Sequence, residues 1–273
     1  MNPALKTLAI AVAMGLSTSG AFAAATASDT AANYSASWGT SAPNLGSGFG
    51  AWGFTLNNAN NPPYVGTYLD QTSYGNPDAV LSAGYAWGTY ANGGSGDGEF
   101  IMTRPFTSGG SGSSSLYNQT FSVNIGSGGI GGVGSSIGLS IGTAFSLSYL
   151  GGGADNFLWS VDGGAAAPIP VTFANLGSGL QISLSVSGAL NSASEGYTLT
   201  LSPVAGGPAI YSVSGTFDSL TYNTASFSFS DLNTSNDQFV NNLSITAEVP
   251  EPSSVLLLGF SSLATLLAIR RRN

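Results

Sequence analysis

Polar and apolar residues alternate with a period of two through most of this chain. Gln119-Thr120-Phe121-Ser122-Val123-Asn124-Ile125 alternates, as do Phe145-Ser146-Leu147-Ser148-Tyr149-Leu150 and Gln181-Ile182-Ser183-Leu184-Ser185-Val186-Ser187. Tyr197–Leu201, Ile210–Ser214 and Ala225–Ser230 follow the same rule. Side chains of a strand point alternately to its two faces, so each segment predicts a strand with one buried and one wet face. Turn clusters separate them: Asn92-Gly93-Gly94, Gly109-Gly110-Ser111-Gly112, Gly151-Gly152-Gly153 and Asp162-Gly163-Gly164. About a dozen short strands at this spacing predict an all-β, two-sheet sandwich in one domain. A β-solenoid is the rival, but Gly126 to Gly142 shows no fixed repeat. No amphipathic helix of useful length precedes Ser253. Ala24 to Ala32 reads as a loose leader, and Ala247 to Glu251 as a short stalk.

The two ends break the pattern. Met1 to Lys6 carries one positive side chain, Leu8 to Leu16 is apolar, and Ala21-Phe22-Ala23 is a small-x-small site. These predict a secretory signal peptide over residues 1–23, cut after Ala23. At the other end Pro250-Glu251-Pro252 precedes the uncharged stretch Ser253 to Ile269, then Arg270-Arg271-Arg272. A helix over residues 253–269 would rise roughly 25 Å at about 1.5 Å per residue. That is near the lower limit for crossing a bilayer core of about 30 Å. The arginines would stay on the cytoplasmic side and the Pro-Glu-Pro on the far side. The domain between the signals is then residues 24–248, with the tail at 249–273.

This tail resembles the PEP-CTERM sorting signal of Gram-negative bacteria. The resemblance implies that Pro250, Glu251 and Pro252 are the recognition motif and that Arg270, Arg271 and Arg272 are the stop signal. It further implies an exosortase-type processing enzyme as partner and an association with extracellular polysaccharide. The expected location is the inner membrane in transit, then the cell surface, outer membrane or matrix. The body is similar to bacterial exported proteins with a concanavalin-like or jelly-roll sandwich. That resemblance rests on Arg104-Pro105-Phe106-Thr107, Gln119-Thr120-Phe121-Ser122-Val123 and Asn241-Asn242-Leu243-Ser244-Ile245.

Charge narrows the chemistry. Between the signals Arg104 is the one basic side chain against twelve acids, a net charge of about −11. Nucleic acid is excluded as a natural partner, because phosphate neutralisation needs clustered Lys and Arg. An anionic membrane surface is disfavoured for the same reason. The chain has no His and no Cys, and the body has no Lys. Imidazole triads, thiolate chemistry, disulfides and Schiff bases are therefore out of reach. Carboxylates are the common acid–base groups that remain.

Four features invite a site. Asp231, Asn233, Ser235 and Asp237 place oxygens at every second position, which suits a hard cation such as calcium. Position six of such a loop is Asn236 rather than Gly, and position twelve is Asn242 rather than Glu. The same residues also make an Asx-rich turn. Asp97 and Glu99 are two close carboxylates, as a glycosidase requires, without the E-x-D-x-x-E pattern of sandwich hydrolases. Trp38, Trp52, Trp87 and Trp159, with Tyr64, Tyr68, Tyr85 and Tyr90, either stack on sugar rings or fill the core. Arg104 pairs with a carboxylate such as Glu99 or captures an anionic sugar. Three functions follow: a non-enzymatic exported protein with a structural or adhesive role, a carbohydrate-binding module using exposed aromatics, and a carboxylate-dependent glycan hydrolase or lyase.

Overall fold

The structure is a computed structural model. It describes residues 25–34, 38, 44–58, 65–71, 80–81, 84–91, 98–106, 116–130, 132–152, 156–188, 192–232 and 237–247. The signal-peptide residues Ala21 and Ala23, the sorting residues 250–252 and 270–272 and the expected membrane helix at 253–269 lie outside these. Among the described residues no helix is long and apolar enough to cross a membrane. The sandwich occupies Ala25–Ala247, a unit separate from residues 1–24 and 248–273.

Its strands, in chain order, are β1 (Ala25–Asp29), β2 (Gly53–Asn58), β3 (Val65–Gln71), β4 (Tyr85–Ala91) and β5 (Gly98–Pro105). There follow β6 (Gln119–Ser127), β7 (Ser136–Ile141), β8 (Phe145–Leu150), β9 (Asn156–Val161) and β10 (Ala167–Ile169). The chain closes with β11 (Leu180–Ser187), β12 (Glu195–Pro203), β13 (Tyr211–Phe217), β14 (Ser226–Leu232) and β15 (Gln238–Ala247). Among the described residues the one α-helix, α1 (Phe173–Gly177), opens on a capping box in which Thr172 and Asn175 satisfy each other's backbone N–H groups.

The strands form two antiparallel sheets. The larger runs β13-β12-β11-β6-β15-β4-β3, with β1 added beside β15; the smaller runs β10-β9-β8-β7-β14-β5-β2. Strand β15 changes neighbours part way along. Its first residues pair with β4, Val240 opposite Trp87, and its later ones with β1, Ser244 opposite Ser28. The change falls at a bulge, where Asn242 takes a φ of 53°. There the Asn241 side chain secures the join. Its oxygen accepts from Ala31 N (2.9 Å), Thr30 Oγ1 (3.1 Å) and Asn242 N (2.9 Å), and its amide donates to Val80 O (2.9 Å) and Tyr85 O (2.6 Å).

Alternation sets the packing. Phe121, Val123 and Ile125 of β6, Ile182, Leu184 and Val186 of β11, and Phe227 and Phe229 of β14 all turn inward and are buried. Phe227 is the hub of the core. Its ring lies 5.2 Å from Phe121, 5.4 Å from Phe229 and 5.9 Å from Trp52 between centroids. The leader reading of residues 24–32 is corrected here. Ala25–Asp29 is a strand of the larger sheet and Ala31–Asn33 a 3₁₀ turn, because β15 offers an edge that β4 leaves open beyond the bulge.

Candidate functional site

The residues expected to form sites are largely structural. Trp38, Trp52, Trp87 and Trp159 are buried, Trp87 completely. Trp87 and Trp159 fall on the inward parity of β4 and β9. Trp38 and Trp52 reach the same core from loops, with Trp52 edge-on to Trp87 at 5.2 Å and Trp38 tilted against it at 6.3 Å. The expectation that these rings are exposed sugar platforms is therefore corrected: Trp38, Trp52 and Trp87 pack on one another, Trp52 also meets Phe227, and Trp159 stacks on Phe145. Tyr85 shares the inward face of Trp87. Tyr68 and Tyr90 lie outward, over the cross-strand glycines Gly88 and Gly66, where an added Cβ would sit 2.6 Å from each ring.

Of the four calcium candidates the structure describes Asp231 and Asp237. Asp231 is fully buried on the inward face of β14, where its Oδ2 accepts from Thr89 Oγ1 at 3.2 Å. Inward parity shared with Phe227 and Phe229 takes it out of the loop it was expected to begin. Tyr68 donates its hydroxyl to Asp237. Asn233 and Ser235 lie outside the described residues. Among the described residues no three acidic side chains gather as a metal site would require. Glu99 accepts from Asn57 Nδ2 at 2.8 Å, and Asp97 lies outside the described residues.

Arg104 finds a different partner from the one expected. Its guanidinium is fully buried and pairs with Asp29 of β1, not with Glu99. Its Nε donates to Gly50 O at 2.9 Å, its Nη2 donates to Asn44 Oδ1, and its plane lies 4.9 Å from the rings of both Phe49 and Trp52. The other donors to Asp29 are Thr30 N at 2.8 Å, Asn33 Nδ2 at 2.8 Å and the Tyr34 hydroxyl at 2.6 Å. Burial, then donation to Asp29, raises the Tyr34 pKa, so the phenol stays a donor. Both Asp29 oxygens accept two hydrogen bonds each, and all three guanidinium nitrogens of Arg104 donate. It is a clasp holding β1, not a site for an anionic sugar.

The surface above the clasp is open. The outer face of the larger sheet carries hydroxyls in cross-strand register: Ser212, Thr200, Ser183, Ser122, Ser244, Ser28 and Ser47 follow one another from strand to strand. In the neighbouring row Thr120 meets Ser185 at 2.7 Å and Thr198 meets Ser214 at 2.8 Å. Where β1 climbs beside the bulge, the face hollows into a cleft of about 490 Å³. Ser122, Asn124 and Gln181 form its floor; Ser28, Thr30 and Asn33 rise on one side, and Asn242 and Ser244 bound it at β15. The lining is hydroxyl and amide throughout, except for Leu243 and the spent carboxylate of Asp29. Asn124 is 5% exposed, and its Oδ1 has no hydrogen-bond partner among the described residues. A buried acceptor left unpaired costs about 1–3 kcal/mol. Sequence reasoning passed over this cleft because Asn124, Gln181 and Ser28 are far apart in the chain and unremarkable singly.

Known proteins identify the C-terminal end of the chain. Residues 248–272 match the model of the PEP-CTERM protein-sorting motif, the stretch that holds Pro250-Glu251-Pro252 and Arg270-Arg271-Arg272. No curated protein matches the chain in sequence. Among solved structures, the exoplasmic/lumenal domain of VIP36 in its Ca2+/Man3GlcNAc-bound form is similar at 10% identity over 73% of this chain and 87% of that one, with a TM-score of 0.43. An engineered GH43 glycoside hydrolase is similar at 9% identity over 85% of this chain, TM-score 0.44, where the match spans 42% of the hydrolase. The structure titled HCR/D-Sa-GBL1/C is similar at 8% identity over 77% of this chain and 47% of that one, TM-score 0.40. The chain thus carries a PEP-CTERM sorting motif, which implies an exported protein, on an all-β sandwich body.

Proposed function

We propose that this is a non-enzymatic exported protein, processed by an exosortase and displayed at the cell surface or in the extracellular matrix of a Gram-negative bacterium. Its role there is structural or adhesive, through contact with extracellular polysaccharide at the cleft beside β1. The observation that supports this most is the cleft itself, about 490 Å³ and lined by neutral hydroxyls and amides from Ser122, Asn124, Gln181, Ser28 and Asn242. Such groups donate and accept equally, as sugar hydroxyls do. The residues lining the cleft include no cation, Arg104 is buried against Asp29, and a body charge of about −11 repels uronate or phosphate groups. The preferred ligand is therefore a neutral glycan, held edge-on by hydrogen bonds rather than stacked on aromatic rings.

Affinity electrophoresis in gels containing neutral or uronic-acid polysaccharides tests this reading. Retardation by a neutral glycan, reduced at least fivefold in strength by Gln181→Ala or Asn124→Ala, is the expected result. Equal mobility in every gel removes the glycan reading, and release of reducing sugar by the purified chain removes the non-enzymatic one.

A further inference from the structure

Four strands end the two sheet paths, and β1, off the path beside β15, is a fifth edge, bridged by Ser47 at Ser28; these edges are not equally protected. An open strand edge pairs readily with another chain, and proteins blunt such edges with charge, proline, bulges or short length. Strand β10 is three residues long with Pro168 at its centre. Strand β3 carries Asp70. Strand β2 lies against Glu99, whose carboxylate holds Asn57. Strand β13, Tyr-Ser-Val-Ser-Gly-Thr-Phe over Tyr211–Phe217, has no charge, proline or bulge of its own, and the carboxyl on its neighbour β12, Glu195, is buried and does not guard the edge. It pairs with β12 without a register break, from Glu195 opposite Phe217 to Leu201 opposite Tyr211. No described strand lies on its other side. Ser212, Ser214, Gly215 and Thr216 are exposed, and just past the strand Leu220 is 63% exposed.

The glycine within this strand is covered. Gly215 would be its weak point, but the Tyr197 ring lies across it, 2.9 Å from where a Cβ would stand. An aromatic ring over a cross-strand glycine restores the packing that the missing side chain forfeits.

We propose that β13 is the seam of a homodimer, in which a second copy of this chain adds its own β13 antiparallel and in full register about Ser214. That register places Tyr211 opposite Phe217 of the second copy and Ser212 opposite Thr216. It keeps the apolar parity of Tyr211, Val213 and Phe217 on the inner face and continues the hydroxyl rows across the seam. It is also the register that overlaps all seven residues. Charge favours this site over the rest of an acidic surface. Asp218, just beyond the strand, is occupied by Leu220 N at 2.9 Å and Thr221 Oγ1 at 2.9 Å. In the dimer the two Asp218 residues stand about 27 Å apart at about 3.4 Å per residue, well beyond a physiological Debye length of about 8 Å. This proposal is independent of the glycan reading.

The absence of cysteine from the chain makes the test direct. In the full-length chain in mild detergent, Ser214→Cys puts two thiols on opposing strands with Cα atoms about 5 Å apart, within disulfide reach. Ser212→Cys, on the same strand and face, puts them about 13 Å apart. Mild oxidation should cross-link the Ser214→Cys chain at least tenfold faster, and sedimentation should show a dimer of the native chain that Ser214→Lys converts to monomer. Equal cross-linking of the two cysteine variants, none in either, or a dimer that Ser214→Lys leaves intact would overturn the seam; the last would move self-association to the apolar tail.

Discussion

The Asp29–Arg104 clasp and the hydroxyl rows of the larger sheet hold the same sandwich in opposite ways. The clasp concentrates its contribution in one buried ion pair that draws in Tyr34, Asn33, Asn44 and Gly50. The rows spread theirs over many small, interchangeable contacts such as Thr120 to Ser185 and Thr200 to Ser212. Tolerance to substitution should therefore be sharply uneven: one residue of β1 should matter more than several of β11 and β12 together.

The largest effect should come from Asp29→Ala. It leaves a buried guanidinium without its anion, and breaking such a pair costs about 3–5 kcal/mol; urea denaturation measures it. Asp29→Leu with Arg104→Met sharpens the point, since removing both charges should recover most of that loss. Asn241→Ala follows, at about 3 kcal/mol, because it strands Val80 O, Tyr85 O and Ala31 N, and one stranded buried group already costs about 1–3 kcal/mol. Native-state hydrogen exchange should then show β1 and the Ala31–Asn33 turn opening before the rest of the sheet.

The third prediction concerns pH. Burial raises the Glu195 pKa above its ordinary 4.5, and a hydrogen bond with the Ser219 side chain only partly opposes this. A carboxyl with a raised folded pKa contributes its stability below the unfolded value and loses it as pH rises through the folded one. Glu195→Gln should therefore raise the melting temperature at pH 8 and leave it nearly unchanged at pH 3. The smallest effect belongs to the rows: Ser185→Ala should cost about 0.5–1 kcal/mol, within reach of calorimetry. A loss above about 3 kcal/mol there would end the contrast with the clasp.

The same contrast explains what was legible in the sequence. The rows were, because alternation is local: Gln181–Ser187 became all but one residue of β11, and by the same rule Phe145–Leu150 became β8 of the smaller sheet. The outward Ser and Thr positions followed from the same period. The clasp was not. Ala25–Asp29 has one acidic and no large apolar side chain, and it is a strand only because β15 comes alongside more than 200 positions later. Arg104 was recognised as needing a carboxylate, but proximity in sequence favoured Glu99. The two share the β5 strand, yet Glu99 falls on the opposite side parity and Asp29 arrives from β1. The tryptophans were ambiguous for a related reason. Parity groups Tyr85 with Trp87, but which face is inward depends on the neighbouring strands.

The pairing of β1 with β15 also has a mechanical consequence. The strands run antiparallel with Ala25 opposite Thr246, so the two ends of the sandwich leave from one corner. Tension applied across that corner would peel β1 away bond by bond, the weak direction for a strand, instead of sliding it lengthwise against many bonds at once. Four residues into the peel it would meet Asp29, where the buried ion pair acts as a latch.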